Sequence, residues 1–202
     1  MKILLTGFNS FANVVTNPSQ QIVEKIDTQK FLSEIEIITE VLPTEFVAAG
    51  KKIEELITTI SPQIILLLGV AAKRKHISLE RVALNLNDSS LPDNTGLRIE
   101  GKQIVENEPL AYFSSLPLLH LKEQLEKNDI PCEVSNHAGT YVCNHTFYLA
   151  LRKIKQLRKN TACSFIHVPT ISQIEEPNAI SLEKLILGIE ILINSIHKYY
   201  AV

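Results

Sequence analysis

Ile64-Ile65-Leu66-Leu67-Leu68-Gly69 decides the fold. Five successive large aliphatic residues without polar alternation suit a strand covered on both faces, the setting of a central strand in a sheet flanked by helices. Just before it, Phe46, Ala49, Ile53, Leu56, Ile57 and Ile60 recur at helical spacing, so a helix leads into this strand. The alternation continues outward in both directions. Ile3-Leu4-Leu5-Thr6 is a short apolar run closed by Gly7, Asn17-Pro18 offers an N-cap with proline at the first helical position, and residues 35–41 are β-branched and partly alternating. Downstream, strands are expected at 79–86, 131–135 and 163–168, with helices at 118–127, 141–155 and 182–199. Residues 1–202 should therefore form a single α/β domain, a three-layer α/β/α sandwich with a mostly parallel mixed sheet. One excursion interrupts it: turn formers crowd residues 88–96, and 97–105 predict a small hairpin around Gly101.

Twenty basic and 22 acidic residues leave a formal charge of −2, which gives no electrostatic footprint for nucleic acid. The one basic cluster, Lys73-Arg74-Lys75, reads as a solvated loop. The apolar run at the N-terminus is too short for a signal-peptide core, residues 64–72 are too few to cross a bilayer, and Glu190 interrupts the run 185–193. A cytoplasmic protein with no membrane partner is expected, its three cysteines reduced. Ligands in such sheets bind beyond strand ends. None of the loops 7–17, 69–78, 87–96, 136–140 or 169–177 carries a P-loop or a G-x-G-x-x-G, so no nucleotide cofactor is expected. Cys143 and His145 would supply two metal ligands, but no second cluster completes a site, and no metal is expected.

Cys143 falls in the first turn of a helix, with Thr140 as the expected N-cap. The unsatisfied N–H groups there favour a thiolate and can receive an oxyanion. A buried, inert cysteine is equally consistent with the position alone. A thiol nucleophile needs a base and often a group that orients the base. His167, near the carboxyl end of a strand and expected on the same sheet edge as the loop before Cys143, is the best base; a satisfied core histidine is the alternative. Glu80 would orient it, or else be a surface carboxylate beside Arg81. His137 and His145 are alternative bases, although His145 lies two residues from Cys143 and points to another helix face. His76, His120 and His197 read as surface, and Cys132 and Cys163 as core.

Several blocks, in order, resemble the pyroglutamyl peptidase I (pyrrolidone-carboxylate peptidase) family of cysteine peptidases. They are Thr6-Gly7-Phe8-Asn9-Ser10-Phe11, Asn17-Pro18-Ser19, Glu80-Arg81-Val82-Ala83-Leu84-Asn85, Leu91-Pro92-Asp93-Asn94, residues 111–117, Ala138-Gly139-Thr140-Tyr141-Val142-Cys143-Asn144, and Phe165-Ile166-His167-Val168-Pro169. The resemblance implies removal of an N-terminal pyroglutamyl residue from small peptides, with Glu80, Cys143 and His167 falling on the family's triad and no cofactor. It implies that Phe8 and Phe11 pack on the flat lactam ring, with Asn17, Gly69 and Val70 as further substrate-binding positions. It also implies a cytosolic homo-oligomer, dimer or tetramer. A broad apolar face on the last helix, from Leu182 to Ile196, points the same way.

The chain also departs from the family pattern. Ser10, Ala12 and Asn13 replace a proline and two glycines of the first loop, and Gly69-Val70-Ala71-Ala72-Lys73-Arg74 stands where the family reads G-Q-A-G-G-R or a near variant. Ser90 replaces an arginine beside the site. The segment after His167 is altered as far as Ile174. These changes leave two further readings open: a thiol hydrolase of another blocked or cyclic amide, and a catalytically weakened relative that binds such peptides.

Overall fold

The computed structural model describes residues 1–11, 16–31, 33–171 and 180–201. Strand β3 (Ile64–Val70) is buried along its whole length and pairs in parallel with β1 (Lys2–Phe8) on one side and β7 (Ala162–Val168) on the other. Strand β2 (Glu36–Leu42) adds in parallel beyond β1. On the far side the direction reverses: β4 (Ile77–Leu84) is antiparallel to β7, and β6 (Cys132–His137) is parallel to β4. The short β5 (Ala111–Phe113) is antiparallel to the end of β4.

Alternate residues of the central strands feed two separate cores, which explains why β3 is apolar at every position. Ile64, Leu66 and Leu68 join Ile166 and Val168 under helices α1 (Pro18–Lys25), α3 (Leu118–Glu126) and α5 (Leu182–Tyr200). Ile65 and Leu67 join Phe165 under α2 (Phe46–Ile60) and α4 (Val142–Gln156). The apolar stripe of α5 is used within this chain: Leu185, Ile189, Leu192, Ile193 and Ile196 are fully buried in the first core.

The expected strand at 79–86 begins and ends two residues earlier. The hairpin expected at 97–105 is not formed; an isolated antiparallel bridge joins Asn87 to Lys102 instead. Side chains take the backbone donors that a ladder would have used. Asn85 Oδ1 accepts from the N–H groups of Ile104 and Val105, both at 2.9 Å, and Asp88 Oδ1 accepts from Gly101 N–H at 3.1 Å. Asp93 closes the excursion onto α2. Its carboxylate accepts from Thr95 and Leu97 and, at 2.9 Å, from the N–H of Phe46 at the start of that helix. Burial alone would raise the Asp93 pKa, but these hydrogen bonds hold it below the usual carboxylate range.

Candidate active site

The site forms where β3, β7 and β4 lie side by side. Ser78 pairs with His167 and Glu80 with Phe165, so the side chains of Glu80 and His167 are diagonal neighbours across antiparallel strands. Glu80 Oε1 lies 2.7 Å from His167 Nδ1, and both residues are buried. With a carboxylate as acceptor, Nδ1 carries the proton and donates, which leaves Nε2 with a free lone pair. Glu80 is therefore neither exposed nor paired with Arg81, whose guanidinium instead donates to Asn136 Oδ1 at 2.9 Å.

Cys143 is the second residue of α4. Its Sγ stands over Gly69, the residue of β3 paired with His167: a Cβ built on Gly69 would lie 2.9 Å from the sulfur and 2.7 Å from the Phe165 ring. Asn144 fixes this helix start. Fully buried, it accepts from Leu84 N–H at 2.8 Å and donates to the carbonyls of Leu84 and Leu86, both at 2.9 Å. Thr140 is not the N-cap; Tyr141 occupies that position, and the Thr140 hydroxyl donates to Asp88 O at 2.6 Å. The shared-edge expectation also fails. Because β6 runs antiparallel to β7, the chain leaves β6 at the opposite end of the sheet from His167, and residues 138–141 bring it back across the face to Gly69.

The surroundings of the sulfur work against the expected thiolate. Burial pushes the Cys143 thiol up to about 12, Glu80's charge adds to this, and the hydrogen bond at the helix start only partly offsets them. Nucleophilic attack from this state needs a base that takes the thiol proton. Cys163 is fully buried in the core, as expected, and burial raises its pKa; Cys132 is half-buried and raised for the same reason.

Beside the thiol is a narrow recess of about 30 Å³ lined by Phe8, Phe11, Asn17, Thr44, Val70, Tyr141 and Cys143. Four of the five expected binding residues thus line one recess with Cys143, and Gly69 lies beneath the sulfur. Phe8 is not a loop residue but the buried end of β1, with its ring 6.3 Å from that of Phe165. Phe11 packs against Tyr141 at 6.1 Å. Asn17 caps α1, accepting from Ser19 N–H and hydroxyl and donating to Asn9 O. Thr44 and Tyr141 were not anticipated. Thr44 sits at the entry to α2 and Tyr141 two residues before the thiol, both within segments already flagged by their neighbours. Their hydroxyls donate to Asn9 O and Pro92 O respectively.

The remaining candidates separate clearly. His145 is turned toward α2: its ring lies edge-on to Phe46 at 5.5 Å, its Nδ1 is 3.0 Å from the Asn87 amide, and burial lowers its pKa to about 4. His137 accepts from Gly139 N–H through Nδ1. His76 and His197 contact Glu133 and Glu34. Ser90 is exposed, and Asn94 of the same segment donates to Ser10 O at 2.9 Å, tying the excursion to the first loop. Ala12, Asn13 and residues 172–174 lie outside the described residues. Among the described residues no group of three or more His, Cys, Asp or Glu side chains is arranged to hold a metal, and no helix is long and apolar enough to cross a membrane.

Comparison with known proteins gives a consistent result. A family model described as pyroglutamyl peptidase matches residues 1–199. The pyrrolidone-carboxylate peptidase of Oceanobacillus iheyensis is 41% identical over 89% of this chain and 89% of its own length, and pyrrolidone-carboxylate peptidase 1 of Caldanaerobacter subterraneus is 37% identical over the full length of both. Among solved structures, the pyroglutamyl peptidase I of Bacillus amyloliquefaciens superposes with a TM-score of 0.90 at 35% identity, covering 96% of this chain and 94% of that one. A mutant pyrrolidone carboxyl peptidase of Pyrococcus furiosus gives 0.91 at 32% identity, covering 98% and 99%.

Proposed function

The chain belongs to the pyroglutamyl peptidase family of cysteine peptidases, and from that premise we propose that it removes the N-terminal pyroglutamyl residue of small peptides with Cys143 as nucleophile, His167 as base and acid, and Glu80 as the group that orients the imidazole. The observation that carries this assignment is the buried 2.7 Å contact between Glu80 and His167 next to the strand position, Gly69, on which the Cys143 sulfur rests.

In this mechanism His167 Nε2 takes the thiol proton as Sγ attacks the carbonyl joining pyroglutamate to the next residue. The first-turn N–H groups of α4 have no intrahelical acceptor and can receive the developing oxyanion. The imidazolium then gives its proton to the departing amine, leaving a thioester. Water, deprotonated by His167, attacks the thioester, and the thiol leaves as the proton returns to it. With burial disfavouring the thiolate, proton transfer accompanies attack, and Glu80 stabilises the imidazolium that forms. Phe8, Phe11 and Tyr141 offer aromatic surface to a flat, uncharged ring. Release of the amine from a chromogenic pyroglutamyl amide by the wild type, and none by Cys143→Ser, is the expected result; no release by the wild type overturns the assignment.

A second substrate class has its own support. Val70 stands where the family carries glutamine, and the side-chain polar groups of Asn17, Thr44 and Tyr141 are engaged within the protein. A less polar cyclic acyl group suits the chemistry of such a lining, and a panel of cyclic acyl amides alongside the pyroglutamyl one separates the two. We also propose a cytoplasmic location, supported by three free cysteines, and assembly as a dimer or tetramer, supported by the family resemblance.

A further inference from the structure

The basic run Lys73-Arg74-Lys75 reads as a solvated loop, yet one of its three side chains turns inward. Lys73 and Lys75 are exposed, whereas Arg74 reaches Glu80: Nη1 lies 2.6 Å from Oε1, the same oxygen that faces His167 Nδ1. Its second arm, Nη2, donates to Ser135 Oγ at 3.2 Å on β6. The backbone around it is fixed as well. Arg74 N–H donates to Ala71 O at 2.9 Å, and Ala71 N–H donates to Val168 O at 2.9 Å, one residue beyond His167. The backbone that carries Arg74 is thus tied to the strand of the imidazole, while its guanidinium bridges β4 and β6.

We propose that Arg74 is a positioning residue: it pins the Glu80 carboxylate, neutralises it, and so sets the pH range in which His167 is a neutral base. The proposal rests on the assignment of Glu80 and His167 above. Glu80 Oε2 is buried without a hydrogen-bond partner among the described residues, so the orientation of the carboxylate depends on what holds Oε1. Two groups do, and only Arg74 carries a permanent charge. Without it, a buried carboxylate would face the imidazole uncompensated, and the Glu80–His167 pair would take up a proton more readily. The other charged or titratable groups around the pair are Cys143 from α4, His76 from the β3–β4 connection, and Glu133 from β6. Glu133 lies 3.9 Å from Arg74 and is itself engaged by His76 at 3.0 Å and Ser78 at 3.1 Å.

The test uses the full chain with Arg74→Met, which keeps the apolar stem, and Arg74→Lys, which keeps the charge. The pH dependence of kcat/KM on the chromogenic pyroglutamyl amide is measured, with the His167 imidazole followed in parallel by NMR titration. For Arg74→Met the acidic limb and the imidazole titration should both move up by about one pH unit. At neutral pH kcat should fall about tenfold with little change in KM. Arg74→Lys should return most of the limb toward wild type. A purely structural role would lower kcat equally at every pH, and an unmoved limb and titration in Arg74→Met overturns the proposal. If that variant does not fold, Ser135→Ala carries the test: freeing the second arm should move the titration upward by less, and no movement there overturns the proposal. A shifted imidazole in a protein that does not cleave the amide would sink the substrate assignment and leave the role of Arg74 standing.

Discussion

Cys143 Sγ occupies the space that any side chain at Gly69 would need: a Cβ there would lie 2.9 Å from the sulfur. The two residues belong to different layers, the thiol to the start of α4 and the glycine to the central strand. Gly69→Ala would press on the sulfur and on the Phe165 ring together, neither of them the free end of a flexible chain. Overpacking of this kind costs about 1–3 kcal/mol. The expected outcome is a lower melting temperature together with a loss of kcat/KM, read by thermal denaturation and the amide assay. A variant with wild-type activity would show that the sulfur can move without consequence.

Glu80→Gln keeps the shape of the side chain but removes the charge proposed to stabilise the imidazolium. An orienting carboxylate replaced by its amide costs about 10⁴ in kcat in the serine-protease triad. A fall of about 10² to 10⁴ in kcat is expected here, with KM little changed, and steady-state kinetics at several pH values would measure it. Wild-type kcat would remove Glu80 from the mechanism.

Asn144 satisfies one backbone N–H and two carbonyls at the end of β4. In Asn144→Ala those groups lose their partners in a buried setting, at about 1–3 kcal/mol for each one left unsatisfied. Both stability and activity should drop, because the same bonds hold the helix turn that carries the thiol. Urea denaturation at neutral pH gives the first quantity and the amide assay the second.

His145 supplies an acid-sensitive contribution to stability. Burial lowers its pKa from 6.5 to about 4, so between these values the unfolded chain binds a proton that the folded chain does not. Its contribution is complete above about pH 6.5 and is lost as the pH falls toward 4. The melting temperature of the wild type should therefore decline across this window, and His145→Gln should flatten the decline. Equal slopes in the two proteins would mean that the group titrates normally in the fold.

The two-layered burial of β3 was readable because each residue answers to its own core, and a strand with two apolar faces leaves a direct trace in sequence. Cys143 at a helix start was readable for a similar local reason, whereas the pairing of Phe8 with Phe11 came from the family resemblance and the strand placement of Phe8 did not show in the sequence. Glu80 as partner of His167 was named as a candidate and implied by the resemblance, but no spacing tied the two, since their meeting depends on β4 running against β7 and nothing in the run 77–84 signals strand direction. Asp93 and Asn94 read as turn formers, but their partners at Phe46, Thr44 and Ser10 lie far away in sequence. The inward turn of Arg74 is hidden in the same way, because composition marks the run as charged and only the tertiary pairing distinguishes one cation from its neighbours. The helix-start effect on the thiol was a correct local argument outweighed by burial.

The pairing order of the sheet also governs when the protein becomes reactive. β3 is flanked by β1, which precedes it, and by β7, which is made about a hundred residues later. During synthesis the segment bearing Cys143 therefore emerges before the strand bearing His167, and that strand has no place until it inserts between β3 and β4. Non-local insertion of this kind is a late and slow folding step. On the proposed assignment of His167 as base, a nascent or C-terminally truncated chain carries the Cys143 thiol without that base, so hydrolytic competence is expected only with completion of the fold.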